Sequence, residues 1–469
     1  MASVEEIIHS KPKITVLDPQ DGSWVGEVAS ACEADVRHAI NTASEAFDVA
    51  RRLPAHIRMK VLNQVADALS EQHEGFAQLI AREGIKTISE ARREVSRCVD
   101  TLRLSAEEAR RLNGETIPFD QAEGSENRFG YFKRIPIGVI VAITPFNDPL
   151  NLVAHKIGPA LAAGNAVILK PHSETPLVAE RLVALFSKTE LPEGVLQIVT
   201  GHGAVIGDIL VADPRVRMVS FTGGREVGEQ IIRKAGLKKL AMELGSNCPA
   251  IVMADADFQQ ALNSTVSGAF SAAGQNCLHV QRLYIHSSIY KEFSSQFCAR
   301  AKAIRVGNKL DENTEMGPMI NERAAQKVDD LVGDALAKGA TLLCGGEREG
   351  NFYQPTVLAN VSDNCTIARE EVFGPVTLLY RFSELDQVIA KANSVDYGLQ
   401  SGIFTQNLDQ AFKLADALDC GGVMINDSSD YRIDAMPFGG VKGSGLGREG
   451  VVHAVHEMSE PKTYCFNLR

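Results

Sequence analysis

Positive charge is in short supply: 48 Lys and Arg stand against 59 Asp and Glu, for a net charge of −11 and a pI near 5.6. Nucleic acid and anionic membrane surfaces reward a basic face, so neither is expected as a partner. No run reaches the roughly 18 apolar residues that a membrane span needs. The first thirty residues mix acids with short apolar stretches, unlike a secretory signal. The nine cysteines (32, 98, 248, 277, 298, 344, 365, 420, 465) are scattered singly, with no Cys-x-x-Cys pair. That usage predicts free thiols in a reducing compartment, the cytoplasm, and no metal site. Internal repeats and low-complexity linkers are also missing. What remains is ordinary globular composition, 45% hydrophobic and 23% charged. At roughly 150 residues per domain the length corresponds to about three lobes.

Residues 1–35 read as extended segments around a turn at 19–22, and residues 35–112 as amphipathic helices. From Gly138 the texture changes. Short β-branched runs (GVIVAI, NAVILK, VLQIV, RVRMVSF) alternate with helical stretches, as in a doubly wound parallel sheet, which binds ligands at the carboxyl ends of its strands. The second half repeats the alternation from PAIVMADAD onward, with a helix near 320–338, a strand near 376–382 and a helix near 408–418. The predicted fold class is therefore α/β with two doubly wound lobes. Segments 120–137 and 455–469 belong to neither and are expected to add strands to a small separate element.

Several residues stand out by context, each with a plainer alternative. Cys277, in AAGQNC, is either a nucleophile or a buried hydrophobe. Glu243, in AMELGS, is either a buried working carboxylate or a surface acid at a strand end. Asn147, in TPFNDP, either serves the site or caps the next helix. Lys170 ends an apolar run at the edge where such sheets bind ligands. The glycines of GHGAVIG (201–207) are ordinary turn glycines by their spacing. Those of FTGGREVG (221–228) open a helix, where backbone N–H groups can hold a phosphate.

ITPFN (143–147), LKP (169–171), FTGG (221–224), MELG (242–245), GQNC (274–277), EEVFGP (370–375) and PFGGVKGSGLGREG (437–450) occur in one order along the chain. In that order they resemble the aldehyde dehydrogenase superfamily over essentially the whole length. The resemblance implies an NAD(P)-dependent oxidation of an aldehyde to its acid through a cysteine thiohemiacetal and thioester. Cys277 would be the nucleophile, Asn147 an oxyanion donor and Glu243 the base that activates water. Thr144, Pro145, Phe146, Lys170, His172, Ser173, Gly203, Gly207, Phe221, Thr222, Gly223, Gly224, Val227, Leu244, Gly245, Glu371 and Phe373 would line the NADP or NAD site. Gly228 would let the backbone approach the pyrophosphate.

Three positions depart from the family pattern. Ser246 replaces a glycine, Gly224 replaces a serine, and Ser173 stands where NAD-preferring members carry a glutamate that repels a 2′-phosphate; Glu174 is its neighbour. FNDPLNLVAHKIGPAL and DSSDYRIDAMPFGG further resemble the lactaldehyde, phosphonoacetaldehyde and non-phosphorylating glyceraldehyde-3-phosphate dehydrogenase group. By that resemblance Arg97, His155, Asn276 and Arg432 would meet a small anionic or hydroxylated aldehyde, Asn276 replacing an arginine. Structural ion pairs are the alternative for the arginines. The few aromatics disfavour a large aromatic substrate.

The implied organisation is a cofactor-binding domain of 1–119 and 138–246 and a catalytic domain of 247–436. Residues 120–137 and 455–469 would build a homodimer or homotetramer, and 437–454 would return to the interface of the two domains. Two alternatives keep the scaffold: a coenzyme-A-acylating enzyme, which Glu243 disfavours, and a non-catalytic binding protein.

Overall fold

The computed structural model describes residues 12–468; residues 1–11 of the first segment and Arg469 of the tail lie outside the described residues. The first half is built on the strands Val139–Ile143, Ala166–Lys170, Leu196–Ile198, Val216–Thr222 and Lys239–Glu243, which pair in parallel. Every residue of Val139–Ile143 and Ala166–Lys170 is buried, which is why these strands read as unbroken apolar runs. The chain moves outward from Val139–Ile143 to Leu196–Ile198, then returns to lay Val216–Thr222 on the other side. A crevice opens where the direction of winding reverses, beyond the carboxyl ends of those two neighbours.

Helices cover both faces of this sheet. The longest, Ile88–Arg111, starts at a capping box between Thr87 and Glu90 and packs against helix Asn151–Ala162. The second sheet has seven strands. Antiparallel Thr341–Cys344 lies at one edge, and Cys248–Val252 and Val280–His286 are adjacent parallel neighbours within it. Only Leu244–Asn247 separates the last long strand of the first sheet from the first strand of the second.

Segment 128–136 forms a strand pairing antiparallel with Ser459–Asn467 on one side and Glu115–Ile117 on the other. The tail differs from expectation at its start, because residues 455–457 still belong to helix Val451–Glu457. Segment 437–450 contributes the two-residue strand Gly445–Leu446, which pairs antiparallel with Met242 and Glu243.

Candidate active site

The crevice continues into a cavity of about 1220 Å³, larger than the roughly 300–1,000 Å³ of ordinary small-molecule sites. Of the site residues expected from sequence, His155 and Gly228 do not line it. His155 is buried behind the wall, where its ring pairs with Asp434 through Nε2 at 2.8 Å.

Cys277 sits just ahead of strand Val280–His286, at its amino end rather than at a carboxyl end. The approach to it is strained. Ala272, Ala273 and Gly274 have φ of 51°, 53° and 66°, so two alanines occupy the left-handed region that favours glycine. Buried Glu90 accepts the Ala272 N–H at 2.8 Å, and Gln275 ties the turn to the Pro318 and Ile320 backbone. Gly274 is required, since a Cβ there would stand 2.1 Å from the Gly374 carbonyl oxygen. Cys277 is half-buried, and burial pushes its thiol well above the usual value, opposed by the nearby Arg432 charge.

Glu243 ends strand Lys239–Glu243 and is 4% exposed. Among the described residues neither of its carboxylate oxygens has a hydrogen-bond partner. Burial, then the charge of Glu449, raises its pKa well above the usual carboxylate range. Glu449 behaves oppositely. Lys156 lies 2.9 Å away and Arg432 3.3 Å away. Against the push of burial they hold Glu449 down to about 2. Two neighbouring carboxyls with pKa values driven apart are the usual arrangement for proton work by one of them. Glu449 lies in the 437–450 motif, but its role was not visible in sequence because its partners are 293 and 17 residues away.

Asn147 is buried, and its side-chain amide has no hydrogen-bond partner among the described residues. It does not cap the following helix. Glu94 does that, accepting the N–H groups of Leu150 and Asn151 at 2.8 and 3.0 Å. Arg97 and Arg432 line the cavity while forming ion pairs, Arg97 with Asp434 at 2.7 Å and Arg432 with Glu449. The Asn276 amide oxygen accepts the Leu278 N–H at 3.0 Å.

The remaining wall fits a dinucleotide. Helices Gly203–Ala212 and Arg225–Ala235 both point their N-termini into the cavity, where free N–H groups favour a pyrophosphate. A Cβ on Gly207 or Gly224 would meet nothing within 4 Å, so the backbone there stays open to a ligand. Gly228 has another task. A Cβ there would lie 2.3 Å from the Leu244 side chain, so this glycine lets the helix settle on the strand end and does not line the cavity.

Glu371 accepts the Ser246 N–H at 2.8 Å, and burial raises its carboxyl to about 7. The Ser246 hydroxyl turns away to the Cys248 thiol at 2.9 Å, which accommodates a side chain where the family pattern has glycine. Phe373, at φ 51°, sets its ring edge-on to Phe146 at 5.7 Å. Burial lowers Lys170 to about 8. Burial, then the charges of Lys170 and Arg323, lowers His172 to about 3. The Glu174 carboxylate is turned to the Asn321 amide at 3.3 Å and does not line the cavity. Lys86, Arg93, Asp427 and Asp430 also line it without having been singled out in sequence. Only the recurrence of charged residues at 90, 93, 94 and 97 along one helix face could have signalled part of this set. Among the described residues no group of three His, Cys, Asp or Glu is placed to hold a metal ion, and no helix is long and apolar enough to cross a membrane.

The sequence profile of the aldehyde dehydrogenase family matches residues 7–464. Aspartate-semialdehyde dehydrogenase 1 of Pseudomonas canavaninivorans is 53% identical over 98% of this chain and 97% of its own. The 3-sulfolactaldehyde dehydrogenase of Priestia aryabhattai is 44% identical over 97% of this chain and 95% of its own. The crystal structure of glyceraldehyde-3-phosphate dehydrogenase GapN from Methanocaldococcus jannaschii, complexed with NADP, superposes with a TM-score of 0.94 at 40% identity, covering 98% of this chain and 100% of that one.

Proposed function

The chain belongs to the aldehyde dehydrogenase family and is an NAD(P)-dependent oxidoreductase; from that premise we propose that it converts a small anionic or hydroxylated aldehyde into the free carboxylic acid. Cys277 attacks the aldehyde carbon through Sγ, and the developing oxyanion takes the Cys277 N–H and the Asn147 side-chain amide. Arg432 favours the thiolate electrostatically. A nicotinamide held against the wall around Glu371 and Phe373 would accept the hydride from the former aldehyde carbon, leaving a thioester on Cys277. Glu243 then takes a proton from water, the resulting hydroxide attacks the thioester carbon, and the Cys277 thiolate leaves as the acid forms.

The observation that carries this reading is the Glu243 carboxylate, buried, free of hydrogen bonds and lining the same cavity as Cys277. Leaving such a group unpaired costs stability unless it has a task. Transfer of the acyl group to coenzyme A would give it none. The test is reduced-cofactor formation with a panel of small aldehydes, with and without coenzyme A. Turnover to the free acid without coenzyme A is expected, and an absolute need for coenzyme A would overturn the reading.

On cofactor choice, Ser173 lines the cavity while Glu174 faces Asn321, and Lys170 and Arg323 place positive charge near His172. This arrangement supports use of NADP at least as readily as NAD. The division into domains given above, with 120–137 and 455–469 as oligomerisation segments, is part of the same proposal. Among the described residues Ser459–Asn467 has one strand neighbour, and Phe466 is about half exposed. Such an edge is usually covered, so sedimentation should return a dimer or larger.

A further inference from the structure

The Ser246 hydroxyl and the Cys248 thiol have no task in the proposed reaction, yet the fold sets them together against the nucleophile. Ser246 stands where the family pattern has glycine, and its hydroxyl meets the Cys248 thiol at 2.9 Å. Cys248 opens strand Cys248–Val252 and is 1% exposed. Its Sγ also lies 3.6 Å from the carbonyl oxygen of Cys277 itself. Val280, three residues after Cys277, is the parallel neighbour of Cys248. Cys248, Leu278, Leu399 and Phe438 form one small apolar cluster, and Cys277 packs against it. The nucleophile therefore has the cavity on one side and a second thiol on the other.

The electrostatics agree with that closeness. After burial and the opposing charge of Arg432, the next influence on the Cys277 thiol is Cys248, ahead of Glu371 and Glu243. Burial raises Cys248 to about 11, and the Ser246 hydroxyl is the first group to oppose that rise. Cys248 does not line the cavity, so aldehyde and cofactor do not reach it. Its sulfur faces Cys277 and Ser246 instead. Cys420 shares a small gap with Cys248, but its own thiol is turned to the Gly422 carbonyl at 3.1 Å.

Resting on the reading of Cys277 as the nucleophile, we propose that Cys248 is its resolving cysteine. Under hydrogen peroxide the two close a reversible disulfide that withdraws Cys277 from the cavity. The Cys277 thiolate attacks one peroxide oxygen, the O–O bond breaks, and hydroxide leaves as Cys277 becomes a sulfenic acid. That hydroxide takes up the proton the thiol had released, giving a first water. Cys277 then turns about χ1 toward the cluster it already rests on. The Cys248 sulfur gives up its proton and attacks the Cys277 sulfur, the S–O bond breaks, and a second water leaves. Two thiols are oxidised to one disulfide, and one peroxide is reduced to two waters. The Ser246 hydroxyl donates to the Cys248 sulfur as it loses its proton, which favours the attacking thiolate. Without a neighbouring thiol, the sulfenic acid proceeds to sulfinic and sulfonic acids that thiols do not reverse.

The test treats the full chain with hydrogen peroxide, free of aldehyde and cofactor, and maps its peptides by mass spectrometry without reduction. The wild type is expected to yield a linked Cys248–Cys277 peptide, to lose aldehyde oxidation, and to regain it in dithiothreitol. Cys248→Ala should oxidise aldehyde like the wild type before peroxide, which also reports that it is folded. After peroxide it should recover at least about tenfold less activity in dithiothreitol, with sulfinic or sulfonic acid at Cys277. Ser246→Gly should form the link more slowly than the wild type. Sulfinic or sulfonic acid at Cys277 of the wild type with no link to Cys248 overturns the proposal. So does a Cys248–Cys420 link in its place, or full recovery of Cys248→Ala. Should that variant fail to fold, the wild-type map decides alone. The link is read without turnover, so its absence from an active dehydrogenase removes only the disulfide. Its presence in a chain that oxidises no aldehyde leaves the disulfide and removes the function it protects.

Discussion

Around Ile143–Asn147 and Phe221–Gly224 the cavity wall carries no charged side chain and is set by strand ends and helix starts. Across from it, between helix Ile88–Arg111 and the loop 427–434, the wall is made of ion pairs whose partners are remote in sequence: Arg97 with Asp434, Lys86 with Asp148, Arg432 with Glu449. The first wall receives a ligand through N–H groups that every chain possesses, so little chemistry has to be added. The second requires particular side chains at particular places, and each charge there is either cancelled by the protein or left for the substrate. Cys277 and Glu243 line the same cavity, and four perturbations separate the contributions.

Cys277→Ala should have the largest effect. Loss of the nucleophile is expected to cut turnover by at least about 10³-fold, with NADP or NAD binding retained in a fluorescence titration because the glycine-rich wall is untouched. Near wild-type rates would assign the nucleophile elsewhere. Glu243→Gln should come next, with a burst of reduced cofactor followed by steady turnover slower by about 10²–10⁴-fold. The wild-type steady rate should climb with pH as Glu243 loses its proton, with a midpoint above the usual carboxylate value of about 4.3. The glutamine variant should lose that rise. Disappearance of the burst as well would place Glu243 in activating Cys277.

These two residues also mark what the sequence could and could not reveal. Both lie in short segments whose neighbours in the chain are their neighbours in space, so AMELGS and AAGQNC were legible, as was the alternation of strands and helices. His155 was misplaced because a helical residue following a recognised motif gives no sign of which face it presents. Glu449 was missed for another reason. Its pairing with Lys156 arises only when the 437–450 segment folds back onto a helix that begins about 300 residues earlier in the chain, a separation that no local pattern records.

Ser173→Glu probes the cofactor wall. A carboxylate facing a 2′-phosphate costs about 1–4 kcal/mol at close range, so kcat/KM should shift toward NAD by at least about fivefold. A wild type inactive with NADP would sink this account of Ser173. Asp434→Asn should be the smallest effect on chemistry and is read in stability. Asp434 joins His155, Arg97 and the Asn151 amide, and the first two, against burial, hold its carboxyl well below the usual range. A depressed folded-state pKa contributes stability that is fully present above the unfolded value of about 3.9 and lost as pH falls through the folded value. At neutral pH the variant should therefore lose about 3–5 kcal/mol, and the gap in Tm between the two proteins should narrow in acid.

The pairing of Arg128–Pro136 with Ser459–Asn467 has a consequence for the chain as it is made. Pro136 waits for Ser459, about 320 residues later, and at 5–20 residues per second a ribosome needs roughly 15–65 s to deliver it. The partners of Glu243 and Lys156, Gly445 and Glu449, arrive almost as late. During that interval the nascent protein has Cys277 but neither the strand that closes over Glu243 nor the carboxylate that neutralises a buried lysine. Birth of the active enzyme is thus deferred to the last moments of synthesis, and a message truncated near its end yields a chain with nearly every motif in place and an unfinished catalytic centre.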